Sequence, residues 1–177
     1  MSMMWRALTI ISGLAAVTAG SLALGQEPVS ALKGHDSNAP VDVAADRIEV
    51  QDRSDRAVFA GNVHVRQQEL TLDTTRLTVA YSSTGSIQIR RLDASGGVVV
   101  KSPSETARGD FGIYDLDRKL ITLVGAVQLN RAGSQINGQR LTIDLNSGRA
   151  VVDGGPAGVG QSGGRVTGHF TVPKHGT

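Results

Sequence analysis

Residues 57–81 read AVFAGNVHVRQQELTLDTTRLTVAY. Gly61 is followed by the alternating apolar pair Val63 and Val65, then by a polar turn, and fifteen residues after the glycine stands Arg76-Leu77-Thr78-Val79. A shift of 64 residues lays this unit on a second copy, Gly125, Val127, Leu129 and Arg140-Leu141-Thr142-Ile143. Between them lies a weaker copy with Gly96, Val98 and Val100, whose second half is placed at Asp110-Phe111-Gly112-Ile113, one residue nearer its glycine. A fourth copy runs from Gly154 to His169-Phe170-Thr171-Val172, and Arg47-Ile48-Glu49-Val50 stands ahead of all as an unaccompanied second half. Recurrence every 29 to 35 residues means one supersecondary unit repeated and stacked.

Period-2 alternation assigns the unit to β-strands. The first strand is expected over Val41 to Val50, and the next over Ala57 to Arg66, bent at Gly61. Leu70 and Leu72, then Leu77, Val79 and Tyr81, mark two more, followed by 87–92 and 97–101. Phe111 and Ile113, the long run 120–130, Ile136, 141–145 and 149–153 continue the meander. Gly154 to Gly168 holds seven glycines and reads as a loop, and Val166 to Val172 as the last strand, stopped by Pro173. No apolar stripe of helical period follows residue 25, so the fold class is all-β, its repeated strand units burying their apolar faces as a rolled sandwich, a jelly roll or a β-solenoid-like stack.

Alternation also names an interior. It consists of Ile48 and Val50, then Phe59, Val63 and Val65, then Leu72, Leu77 and Val79, with Ile89, Val98 and Val100. Phe111 and Ile113 follow, then Leu123, Val127 and Leu129, and finally Ile136, Leu141 and Ile143. A slip of one residue would turn each such face outward, so the pattern fixes register as well. The terminal strands lack a further partner in sequence, which makes Val41, Val43, Ile48 and Val50 at one end, and Val166, Phe170 and Val172 at the other, the expected edges of the array.

The chain has 177 residues, enough for one domain with its own core. With no cysteine and 3% aromatic residues, that core must be aliphatic and free of disulfides. Lys and Arg number 18 against 16 Asp and Glu, and the basic residues are scattered, so the footprint of a nucleic-acid binder is missing. Residues 1–25 carry one early cation, Arg6, an apolar run from Ala7 to Leu24, and a small-x-small end at Ala23-Leu24-Gly25. That is the pattern of a cleavable secretory signal, and the competing reading is a retained membrane anchor. A flexible leader is expected over 26–40, the β domain over 41–172, and a short tail over 173–177.

No catalytic constellation emerges. His35, His64, His169 and His175 are far apart and lack the spacing of a paired metal site, so neither a metal nor another cofactor is expected. Asp42, Asp46, Glu49, Asp52 and Asp55 could suggest a glycosidase pair or a Ca2+ site, but Arg47, Arg53 and Arg56 interleave with them, as on a solvated, charge-blunted edge.

The segments Pro40-Val41-x-Val43-x-Ala45-Asp46, Phe59-x-Gly61-Asn62-Val63-x-Val65, Leu123-x-Gly125-x-Val127-x-Leu129 and Ile136-x-Gly138 occur in an order and spacing that resembles the OstA-like family of lipopolysaccharide-export proteins. The resemblance covers about Pro40 to Val172 and departs from the family in the glycine-rich segment. It implies a single twisted β-jelly roll, a rolled antiparallel sheet open at both ends, in the periplasm, whose apolar interior takes the acyl chains of lipopolysaccharide. It further implies head-to-tail homo-oligomers and partners among the inner-membrane-anchored and outer-membrane components of the export machinery. Arg66, Arg76, Arg90, Arg91 and Lys101 are then candidates to meet the headgroup outside. Two functions stay open: a lipid-carrying bridge, and a structural or adaptor β-module of the envelope, anchored if residues 1–25 persist. An enzyme acting on envelope polysaccharide is a third, remote one.

Overall fold

A computed structural model describes Leu32 and residues 35–155 and 164–171. The strands are β1 (Asp42–Ala44), β2 (Arg47–Gln51), β3 (Arg56–Gln67), β4 (Leu70–Ser82), β5 (Gln88–Lys101), β6 (Glu105–Asp115), β7 (Leu120–Arg131), β8 (Ser134–Asp144), β9 (Arg149–Asp153) and β10 (Thr167–His169). All pair antiparallel in one ten-stranded sheet, with β3 to β8 in chain order. At each end a long strand is covered by two short ones: β3 by β1 and β2, and β8 by β9 and β10. The expected all-β rolled sheet is therefore what forms. The signal segment, residues 156–163 and Val172 lie outside the described residues.

Every long strand pair shifts register at the same level, between Ala60 and Val63, Asp73 and Arg76, Ser95 and Val98, Arg108 and Phe111, and Val124 and Val127. The extra residues are Gly61-Asn62, Gly96-Gly97 and Gly125-Ala126, all at positive φ. These repeated bulges draw a crease across the sheet, because a bulge bends its strand and sharpens its twist. The strands continue through it, so the separate segments expected around Leu70–Tyr81 and 87–101 are single strands, β4 and β5. The first strand, by contrast, is two, β1 and β2.

A side chain from earlier in the chain sits on the first glycine of each of these bulges. A Cβ at Gly61 would collide with the Asp46 carboxylate, one at Gly96 with the Thr75 hydroxyl, and one at Gly125 with the Asp110 carboxylate. Asp46 also accepts a hydrogen bond from Asn62 Nδ2 at 2.9 Å, and its N–H donates to Gly61 O at 2.9 Å. Asp46, one of the clustered acids near the start of the β domain, is thus a structural brace. In the fourth copy the positive-φ glycine beside Gln139 is Gly155, one residue beyond the expected Gly154.

Gly125→Ala adds both that collision and a side chain at φ +84, with an expected loss of about 2–4 kcal/mol. Gly97, at φ +82 with open space around its Cα, isolates the backbone term. Gly97→Ala should cost only about 1 kcal/mol. Thermal unfolding of the two variants measures the difference.

Candidate functional site

On one side of the crease, paired residues form two apolar rows across the sheet. One runs Val50, Ala57, Val79, Leu92, Tyr114, Ile121, Ile143, Ala150. The other runs Ile48, Phe59, Leu77, Ala94, Gly112, Leu123, Leu141, Val152. On the other side a third row runs Val43, Val65, Leu72, Val100, Ala107, Leu129, Ile136. Val63, Val98 and Val127 lie at the crease between them, each nearly inaccessible to solvent. The two halves face each other: a cavity between them is lined by Val65, Leu72 and Val100 from one wall and Leu92, Tyr114 and Leu123 from the other. The Tyr114 hydroxyl also crosses between walls to donate to Gln67 Oε1 at 3.0 Å.

The structure thus gathers most of the expected interior. Val63, Val65, Leu72, Leu77, Val79, Val98, Val100, Leu123, Val127, Leu129, Leu141 and Ile143 are buried, and Phe59, Ile89 and Ile136 pack against them half-buried. Four expected members are placed differently. Phe111 is 57% exposed on the outer face, and Ile113 shares that face half-buried. The reason is the repeat alignment: Ser95 pairs with Phe111 as Ala60 pairs with Arg76 and Val124 with Arg140. The second half of the weak copy therefore starts at Phe111, with the same fifteen-residue spacing as the others, and the inward residues are Gly112 and Tyr114. Ile48 and Val50 do belong to inward rows, but on edge strand β2 no described residue covers them, leaving them 55% and 57% exposed.

The far edge also differs from expectation. β10 spans only Thr167–His169, with Val166 and Phe170 exposed outside it, and β9 shares that edge. Val41 and Val43 pack half-buried against the core, Val43 on β1 and Val41 just before it.

Residues that alternation left out complete the interior: Leu92, Tyr114, Ile121 and Leu145 are buried in the same cluster. Tyr114 and Ile121 become visible once Phe111 is aligned with Arg76. Gln67 is also inside, only 2% exposed, and its signal is in the sequence, since it continues the inward alternation of Val63 and Val65 with a polar residue. Burial pushes the Tyr114 phenol above its usual pKa, so it remains a donor throughout the physiological range.

The walls meet through aliphatic side chains and enclose a gap of only about 20 Å3, room for about one water. Parting them breaks no rung of the backbone ladder, because the ladder runs along each wall and through the crease. What opposes opening is the loss of apolar contact and of the Tyr114–Gln67 hydrogen bond between the walls, and what can replace the contact is another apolar chain.

Outside, polar residues mostly satisfy one another. Asp73 lies between His64 Nδ1 at 2.6 Å and Lys101 Nζ at 2.9 Å, and the His64 hydrogen bond foremost holds its carboxyl below the usual pKa. Arg90 pairs with Asp117 and Arg91 with Asp93, while Arg66 Nε donates to Gln68 O at 3.1 Å. Of the five cations expected to face a headgroup, Arg76 stands exposed beside the crease, at the position equivalent to Phe111 and Arg140.

Residues 42–149 match the family model described as LptA/(LptD N-terminal domain) LPS transport protein. The chain belongs to that family. This bears out the OstA-like resemblance read from the sequence. The chain is also similar to an uncharacterised protein of Rhizobium meliloti, 30% identical over 152 residues, which span 81% of this chain and 82% of that one. Among crystal structures, the fold matches LptH, described as the LptA homologous periplasmic component of the lipopolysaccharide transport device from Pseudomonas aeruginosa. That match has a TM-score of 0.68 at 17% identity, covering 78% of this chain and 99% of LptH. Family and fold place the folded sheet and its two walls in a lipopolysaccharide-transport lineage.

Proposed function

We propose that this protein binds lipopolysaccharide by its acyl chains between the two walls and carries it across the periplasm. It would do so end to end with further copies, between inner-membrane-anchored and outer-membrane components of the export machinery. The observation that carries this reading is how the apolar rows end. A closed core finishes at its edge strand in polar or charged side chains, whereas here the rows reach β2 as Ile48 and Val50, apolar and more than half exposed. Family membership supplies the cargo. Burial of a tail contributes about 0.8 kcal/mol per methylene, so eight methylenes bring about 6 kcal/mol toward parting walls that no backbone bond ties together.

The small size of the closed gap favours a second reading, an adaptor that joins envelope components without carrying lipid. Photocrosslinking in cells separates the two. A photoreactive residue at Val65, Val79 or Leu129, all buried inward, should capture lipopolysaccharide, and one at outward Asn62 or Gln128 should not. Equal capture at both sets removes the support for an interior route.

A further inference from the structure

The mouth of the folded sheet, opposite the crease, is occupied by the chain's own leader. Residues 35–40 were expected to be free of the fold, yet Ser37 is only 6% exposed, and Leu32 just before is 5% exposed within the apolar cluster. The leader is held by the Gln67 side chain of one wall, which Tyr114 of the other wall holds in turn. Gln67 Nε2 donates to Ser37 O at 3.1 Å and to Ala39 O at 2.8 Å. Gln67 Oε1 accepts from Tyr114 of the opposite wall at 3.0 Å and from His35 Nε2 at 2.9 Å, the tautomer that bond requires. A primary amide has two N–H donors and two acceptor lone pairs, and here all four are engaged. A fully satisfied, buried amide is a specific latch, since removing it leaves backbone carbonyls and a phenol without partners in an apolar setting.

The leader also lies along one side of the opening between the walls. Ser37 to Val41 line one side of a cleft of about 460 Å3 whose other side is Ile87, Ile89, Leu116 and neighbours at the rim of the opposite wall, from the start of β5 and the adjoining loops. Val41 and Gln67 line the narrow interior gap as well. A chain entering between the walls at this mouth therefore meets the leader first.

We infer that residues 35–40 form a strap latched across the groove mouth by Gln67, and that an incoming acyl chain displaces it. This rests on the proposed lipid-carrying function for the identity of the displacing ligand, but not for the latch itself. Gln67 is a positioning residue: it touches the strap and closes the two walls, and the strap in turn excludes water from the apolar rows while no cargo is present. The aliphatic walls would otherwise stand open at the mouth, an exposed apolar surface of the kind that promotes aggregation.

The chain contains no cysteine, so a single introduced thiol reports the strap directly. Ser37→Cys, close in size to the parent residue, should react slowly with a maleimide in the exported full-length protein, compared with Ser83→Cys on an exposed loop. Adding Gln67→Ala should raise the Ser37→Cys labelling rate roughly tenfold or more, the consequence of losing several hydrogen bonds of ordinary strength. His35→Ala, a change on the strap itself, should raise it less and leaves the sheet untouched if Gln67→Ala proves too disruptive by circular dichroism. Saturating purified lipopolysaccharide should accelerate labelling of the Ser37→Cys protein to a similar degree. Labelling as fast as Ser83→Cys without any second change, or no acceleration by either latch variant, overturns the strap. Continued protection while crosslinking shows lipopolysaccharide bound overturns displacement by cargo. Lipopolysaccharide that binds neither the parent nor the Gln67→Ala form overturns the transport reading and release by cargo with it, while the latch is still decided by the Gln67→Ala and His35→Ala rates.

Discussion

Leu123→Asp is expected to abolish cooperative folding at neutral pH, while Phe111→Asp leaves the melting temperature nearly where it was. Leu123 is fully buried between Gly112 and Leu141 in the central row. A carboxylate there has no cation or donor row to face, and it must either stay charged in an apolar interior or bind a proton at a cost that grows with pH. Either route consumes several kcal/mol, against a total stability of about 5–15 kcal/mol for a domain. Phe111 is 57% exposed on the outer face, where an aspartate remains in water, and the expected change is within about 1 kcal/mol. Circular dichroism melts of the two variants measure the contrast. The opposite outcome, with Phe111→Asp the damaging change, would place the weak repeat in the other register and move Gly112 and Tyr114 outward.

That register marks the boundary of what the sequence makes legible. The strong copies at Gly61 and Gly125 carry alternating apolar residues on both sides of the glycine, and their inward positions, from Val63 to Ile143, are found inside. In the weak copy the inward positions on β6 are Ala107, Gly109, Gly112 and Tyr114, three of them too small to advertise a core face, while the outer face carries Phe111 and Ile113. Hydrophobicity then points the wrong way, and only the constant fifteen-residue spacing from glycine to second half recovers the register. The small residues have a packing reason: a Cβ on Gly112 would press on Val98 and Leu123, which fill that space. The crease is legible as a set of glycines, but the bend they make is not, because bulge partners such as Asp46, Thr75 and Asp110 are specified across strands. The strap is invisible to periodicity, since the hydrogen bonds that latch it run through one amide rather than following an apolar pattern.

The double variant Ile48→Glu and Val50→Glu is expected to remain a folded monomer and to lose end-to-end assembly. β2 and β9 are both five residues long, lie at opposite ends of the array, and run antiparallel to the strands they already pair with. Setting β9 of one copy beside β2 of the next, with Val152 opposite Ile48 and Ala150 opposite Val50, continues both apolar rows of the first wall without a step. The same register puts Arg47 opposite Asp153, a favourable pairing of charges on the outer face. Backbone hydrogen bonds along two free edges would supply affinity, and the continued rows would supply a path for tails across the junction. Because Ile48 and Val50 are more than half exposed in the single copy, glutamates there stay hydrated and cost the monomer little. In the junction the same carboxylates would face Val152 and Ala150 and be stripped of water, and every 1.4 kcal/mol of that cost weakens association about tenfold. Light scattering over a concentration series should show the parent assembling and the double variant monomeric, with matching melting curves. Glu49→Gln, on the outer face of the same strand, should assemble much as the parent does. Assembly of the double variant at the parent's concentration would mean that copies join somewhere other than β2, and the continuous two-row path would have no junction to cross.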